Sequence, residues 1–248
     1  MRAVKPRELT ICGLAAVRAQ FAADAAAIRR LYFDDATGRR VGAISRALAQ
    51  AKKIYRRVEP AELAKIAGTI HHGGIVAVVT APELPAPAPD APRAWARRRE
   101  PLLVLDRVGN AHNLGAIART AAFFGVPRIV LPDDPAAARP GEAAHRVAEG
   151  GLAHLEVLCV PALAPFLREL AAAGYDVIGA ATRGGRPEAA AAKAKPVALV
   201  LGNEEHGLAP GVAAACTRLV TLPGTGRVES LNVSVAAAVL MWELLARR

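Results

Sequence analysis

Two short stretches, Leu102–Leu105 (LLVL) and Val197–Leu201 (VALVL), carry no polar residue, and this constrains the fold more than any other feature of the chain. Side chains alternate between the two faces of a strand, so a strand without alternating polarity is dry on both faces. Dry strands belong to parallel sheets with helices packed on either side, which makes the class α/β. The rest of residues 101–248 fits a strand–helix alternation. Strands are expected at Arg128–Leu131, Leu155–Val160, Asp176–Ala181 and Arg218–Leu222, helices at Leu114–Phe124 and Leu163–Ala173, and an apolar helix closes the chain. No internal repeat interrupts the pattern. Sheets of this kind bind ligands in the loops that leave the carboxyl ends of their strands.

Residues 81–100, APELPAPAPDAPRAWARRRE, hold prolines at positions 82, 85, 87, 89 and 92. That density favours extended polyproline geometry and is expected to exclude a helix or a central strand, which makes the segment a semi-rigid linker. It closes with Arg97, Arg98 and Arg99, which either touch phosphates or keep the tether solvated. The chain therefore divides into residues 1–80, the linker 81–100, and residues 101–248. The first part reads as a small α/β unit: helices at Ala15–Ile28, Ile44–Lys53 and Pro60–Ala67, an extended stretch at Arg30–Phe33, and a buried strand at Ile75–Thr80. His71-His72-Gly73-Gly74 lacks metal-ligand spacing and reads as a turn or an RNA-facing edge.

Charge separates the same two parts. Of the net +10, residues 1–80 carry +8 (14 Lys/Arg against 6 Asp/Glu) and residues 101–248 only +1 (14 against 13). A positive field confined to one unit suits docking on a polyanion such as RNA; the plainer reading is a well-solvated basic domain. No apolar run reaches the roughly 20 residues a bilayer requires. Arg18 and Asp24 interrupt the N-terminal apolar stretch before a signal-peptide core can form. Cys12, Cys159 and Cys216 are scattered and odd in number, which suggests neither a disulfide framework nor a metal site and leaves the cytoplasm as the default compartment.

Three strand-end loops concentrate polar residues. The first is Asp106-Arg107-Val108-Gly109-Asn110-Ala111-His112-Asn113, in which Asn113 is expected to cap the following helix and Arg119 to lie within it. The second, after Val197–Leu201, is Gly202-Asn203-Glu204-Glu205-His206-Gly207-Leu208, where Glu204 is either a functional acid or a solvated one. The third is LPGTGRVESLN, which runs straight into the terminal apolar helix. Its Gly224-Thr225-Gly226 begins like a dinucleotide-binding turn, but Glu229 stands where the third glycine belongs and no strand with an acid follows, so a nicotinamide oxidoreductase is a poor reading. The three loops are expected to bring Asn113, Arg119, Glu204, Ser230 and Asn232 to one sheet edge.

The motifs NLGAIARTAAFFGV, LVLGNEEHGL and LPGTGRVESLNVSVA resemble, in order and separation, those of the SpoU (TrmH-like) RNA ribose 2′-O-methyltransferases, and the likeness extends over essentially the whole chain. The resemblance implies a C-terminal sheet tied in a trefoil knot, homodimerisation through the knotted domain, and a ribosomal-protein-like N-terminal domain that holds ribosomal or transfer RNA. It implies S-adenosylmethionine bound by backbone around Gly202, Leu222 and Leu231, with Ala181, Thr182, Asn203, Gly207, Gly226 and Asn232 as further contacts. It implies that Asn113, Arg119, Glu204, Ser230 and Asn232 carry the reaction, with Arg119 meeting the ribose or its phosphate and Glu204 orienting Arg119 or accepting a proton. No metal and no membrane enter this reading. Its rival is an RNA-binding or ribosome-assembly protein whose site has lost catalysis.

Overall fold

The stretches LLVL and VALVL lie side by side, in parallel register, at the centre of a six-stranded sheet whose strands all run the same way. The computed structural model describes residues 7–185 and 195–246.

The chain first builds a smaller unit: β1 (Glu8–Cys12), α1 (Leu14–Asp24), β2 (Ile28–Phe33), α2 (Asp35–Gly38), α3 (Gly42–Gln50), β3 (Ile54–Arg57), α4 (Pro60–Ala67) and β4 (Ile75–Thr80). Its sheet has the order β1-β4-β2-β3, with β4 antiparallel to both neighbours and β3 parallel to β2. The apolar run IVAVVT, β4, is one of the two inner strands, as its buried β-branched residues require. Helix α4 starts on Pro60, where no amide donor is needed, and stops at Gly68 in the left-handed region, φ 64°. The HHGG segment is a turn: Gly74 donates to His72 Nδ1, and a Cβ on Gly74 would lie 2.4 Å from Thr37 Oγ1. Helix α1 ends at Asp24 rather than at Ile28, because the Asp24 carboxylate caps a following 3-10 turn and Ile28 already begins β2.

Helix α5 (Ala91–Arg97) then leads into β5 (Leu102–Leu105), α6 (Ala111–Phe123), β6 (Arg128–Pro132), α7 (Glu142–Ala148), β7 (Glu156–Val160), α8 (Leu163–Ala172), β8 (Asp176–Ala180), β9 (Val197–Leu201), α9 (Pro210–Ala215), β10 (Arg218–Val220) and α10 (Val233–Met241). The strand order is β10-β8-β9-β5-β6-β7. Each face of this sheet has its own core. Leu103, Leu105, Leu199 and Leu201 pack against α6, α7 and α10, while Leu102, Val104, Ala198 and Val200 pack against α5, α8 and α9. The alternate residues of one dry strand thus serve two separate layers.

Helix α5 corrects the linker reading. Five prolines argue against a helix in residues 81–100, yet Pro92 occupies the first turn of α5, where its missing N–H costs nothing. The remaining helix is held by Trp95, 5% exposed, with the Arg128 guanidinium 4.7 Å from its ring centroid. The proline-rich part before it is anchored too, since the Cys159 amide donates to the Pro85 carbonyl at 3.0 Å. The two units also meet directly: the Thr10 amide of β1 donates to Glu142 Oε1 of α7 at 3.0 Å, and Gly150, φ 96°, sits so close to α1 that a Cβ would lie 2.9 Å from Ala19 Cβ.

If α5 is part of the larger fold rather than a tether, Trp95→Ala leaves a cavity and costs about 3–5 kcal/mol in urea unfolding of the full chain. A loss below about 1 kcal/mol, the range of surface substitutions, contradicts the packed arrangement.

Candidate functional site

The three expected loops meet beside a cleft at the carboxyl ends of β8, β9 and β10. The meeting depends on which asparagine caps α6. Asn110, not Asn113, is the cap: its Oδ1 accepts from the amides of His112 (2.8 Å) and Asn113 (3.3 Å). Asn113 therefore lies inside the first turn with its side chain free to reach outward. Its Nδ2 donates to Glu204 Oε1 at 2.9 Å, and its Oδ1 accepts from Asn232 Nδ2 at 3.1 Å. Asn232 in turn caps α10, accepting from the Ser234 amide at 2.8 Å. One amide side chain thus joins the loops after β5, β9 and β10.

Glu204 is held by more than Asn113. The Gly109 amide donates to its Oε2 at 3.2 Å and the Asn110 amide to its Oε1 at 3.4 Å. Partial burial alone would push its pKa up, but the Asn113 side chain and the backbone donors outweigh this and hold the carboxylate below its ordinary value of 4.5. Such a carboxylate is a weak base and a firm tie.

The second loop is closed on itself. Asn203 and Gly207 exchange backbone hydrogen bonds at 3.0 and 2.9 Å, and the Asn203 side chain accepts from the amides of Glu205 and His206 while donating to the Arg107 carbonyl. A Cβ on Gly202 would fall 2.3 Å from the Gly207 carbonyl carbon, so only glycine allows the backbone crossing. Buried Asp106 pins the exit of the loop by accepting from the Ala209 amide at 2.6 Å.

The cleft has a volume of about 220 Å³. Ala181 and Thr182 after β8, Gly202, Asn203, Glu204 and Gly207 after β9, and Leu222, Ser230 and Leu231 after β10 line it. Val233, Ala236 and Leu240 of α10 also contribute, so the terminal helix forms one wall. Gly226 and Asn232 are not among the lining residues: Gly226, φ 78°, turns the third loop, and Asn232 acts through its bond to Asn113.

Arg119 is placed differently from the sequence expectation. Six residues past Asn113 on a helix is about 9 Å along the axis and about 240° around it. The Arg119 side chain accordingly points away from the Asn113–Glu204 contact, does not line the cleft, and pairs through Nη2 with Glu149 Oε2 at 3.0 Å. Within the chain Arg119 pairs with Glu149 rather than with Glu204. Asn110, Asp106 and Glu149 were not singled out from sequence. The signal for the first was its place directly before Ala111-His112-Asn113, and for the last the two glycines that follow it.

The SpoU rRNA methylase family model matches residues 100–242, and the model for RNA 2′-O ribose methyltransferase substrate binding matches residues 10–85. The chain belongs to the SpoU methylase family. It is 36% identical over 241 residues to the 23S rRNA (guanosine-2′-O-)-methyltransferase RlmB of Ralstonia nicotianae, covering 96% of this chain and 95% of that protein. It is 32% identical over 243 residues to the uncharacterized tRNA/rRNA methyltransferase YfiF of Escherichia coli O157:H7, covering 98% of this chain and 69% of the other. Among solved structures, an RNA methyltransferase assigned to the TrmH family from Porphyromonas gingivalis superposes with a TM-score of 0.75 at 27% identity, over 97% of this chain and 90% of that one. An AdoMet-bound rRNA methyltransferase from Sinorhizobium meliloti shares the fold, with a TM-score of 0.77 at 24% identity over 96% and 87% of the two chains. No helix among the described residues of this SpoU protein is long and apolar enough to cross a membrane.

The tie through Glu204 has a pH signature. Its lowered folded pKa means that the stabilisation is present above the unfolded value and is lost as pH falls below it through the folded value. The stability gap between wild type and Glu204→Gln, read as the difference in urea midpoint, is expected to be open at pH 7 and to close on acidification below about pH 4. A gap that stays constant down to pH 3 contradicts the tie.

Proposed function

We propose that this chain transfers a methyl group from S-adenosylmethionine to a ribose 2′-hydroxyl of ribosomal or transfer RNA, in the cytoplasm and as a homodimer. The observation that carries the reading is the bridge from Asn232 through Asn113 to Glu204, which fixes three loops around an apolar cleft within the span of a SpoU methylase match.

The residues present fit the cofactor. Leu222, Val233 and Leu240 offer an apolar wall, and Gly202 keeps the backbone of the second loop close enough for direct contact. Among the described residues no group pairs with the backbone amides of Leu222 and Leu231, which leaves two donors at the cleft for the edge of a purine. When bound, S-adenosylmethionine supplies a methyl group already activated on a sulfonium.

What remains for the chain is alignment and one proton. Holding the reacting groups in line supplies about 7–11 kcal/mol in the best intramolecular cases. Ser230, a residue of the cleft wall, fixes the ribose by hydrogen bonding in this reading, and Asn113 and Asn232 hold the loop that carries it. Glu204, with its carboxylate occupied by three donors, serves as a tie rather than as the base. A guanidinium is a rigid fork of N–H donors with no acceptor, so the work of Arg119 is electrostatic: a fork for the ribose oxygen or its phosphate.

The smaller unit supplies RNA affinity. Arg29, Arg39, Arg40, Arg46, Lys52, Arg56 and Arg57 are exposed, and edge strand β3 exposes Tyr55 beside Arg56 as a stacking surface. The homodimer is supported by a stripe along α10 and the residue that follows it: Val235, Val239 and Trp242 are 49%, 42% and 53% exposed, and Phe123 of α6 is 82% exposed nearby. We read the terminal segment as threaded in a trefoil knot, a reading supported by burial of Ala237, Leu240 and Met241 with Leu103 and Leu199 of the sheet.

Incubating the protein with tritiated S-adenosylmethionine and total RNA tests the function. Label is expected in alkali-resistant dinucleotides, the mark of a 2′-O-methyl group. Arg119→Ala is expected to lower turnover by about 100-fold or more, as the loss of one oxyanion-stabilising group does, while cofactor affinity stays within about twofold because Arg119 lies off the cleft. Cofactor binding without transfer to any RNA supports the catalytically silent RNA-binding protein instead.

A further inference from the structure

Arg119 already has a partner in the free protein, and that partner is held in an unusual way. Glu149 follows the last residue of α7 with φ 45° and ψ 41°, a left-handed conformation in which glycine or asparagine is the ordinary occupant. The next two residues are glycines in close contact with opposite elements. Gly150 packs on α1 of the smaller unit, and a Cβ on Gly151 would lie 2.8 Å from the Arg119 Cα. Glu149 is therefore launched from a turn wedged between the helix that carries Arg119 and the unit that carries most of the positive charge.

Stability does not explain a glutamate at this point. Both side chains of the pair are 57% exposed, and an exposed ion pair contributes little, whereas left-handed backbone at a residue that carries a Cβ is unfavourable. Glycine would satisfy the local geometry better. The carboxylate, however, presents two oxygens to a guanidinium as a phosphate does, and an exposed contact is one that a phosphate can replace.

We propose that Glu149 is a positioning residue that holds Arg119 in the free protein and yields it to an RNA phosphate. Its carboxylate stands in for the RNA backbone, keeping the arginine extended at the junction of the two units. RNA that spans both units displaces it, so Glu149 weakens RNA binding overall while setting where Arg119 waits. This extends the methyl-transfer reading only in assigning Arg119 to RNA, and its test does not need activity.

The probe is a fluorescent 20-nucleotide single-stranded RNA of mixed sequence, titrated into the full-length protein across a series of salt concentrations. Glu149→Gln is expected to tighten binding by about fivefold or more and to steepen the salt slope by about one, as for one additional phosphate contact. Glu149→Gly is expected to match it without loss of thermal stability, which separates the charge effect from misfolding, and Glu149→Asp to retain wild-type salt dependence. In an Arg119→Ala background the same Glu149→Gln change is expected to shift affinity by less than about twofold, since the effect runs through the arginine. Unchanged or weaker RNA binding by both Glu149→Gln and Glu149→Gly overturns the proposal, as does an undiminished effect without Arg119. A protein that binds RNA in this pattern yet transfers no methyl group would sink the catalytic reading and leave this one standing.

Discussion

A carboxamide donates through one atom and accepts through another, and Asn113 uses both at once. It gives a hydrogen bond to Glu204 and takes one from Asn232, so the loops after β5, β9 and β10 are joined through a single side chain. Each such bond contributes only about 0.5–1.5 kcal/mol net. Their importance is directional: the first two loops are also tied by the Gly109 and Asn110 amides on Glu204 and by Asn203 on the Arg107 carbonyl, and the bridge fastens the third loop to them. The arrangement also depends on a division of labour between neighbours, because Asn110 satisfies the amides at the start of α6 and releases Asn113 from that duty.

The position of the site follows from the sheet. Both faces of β5 and β9 are covered by helices, so the strand ends are the places left for chemistry. Helix α10 links the two levels. Its buried side, Ala237, Leu240 and Met241, belongs to the sheet core, its first turn is capped by a member of the bridge, and Val233 and Ala236 face the cleft. Burying the last helix is thus what shapes the binding wall.

Dry strands and long amphipathic segments were legible in the sequence because their pattern is set by burial on a fixed period. IVAVVT, LLVL and VALVL all fall where polarity places them. Strands β1 and β3 were not foreseen. The four residues of β3, IYRR, are exposed throughout, and an exposed edge strand has no polarity pattern to read. Helix α5 was hidden by proline density, which does not distinguish a proline in a first helical turn from one in the interior. The cap on α6 was misplaced by one turn because Asn110 and Asn113 are chemically identical and only the backbone decides between them. The family motifs located the members of the bridge, but the Arg119–Glu149 pair arises from a contact between distant segments and has no local signature.

The central claim is that the bridge, acting as a unit, shapes the cofactor cleft. A double-mutant cycle on S-adenosylmethionine affinity with Asn113→Ala, Asn232→Ala and the double variant tests it most directly. If the bridge acts as one unit, the double variant binds scarcely more weakly than either single one, giving a coupling energy of about 1 kcal/mol or more. Losses that add to within about 0.3 kcal/mol, or single variants that bind as wild type does, contradict it.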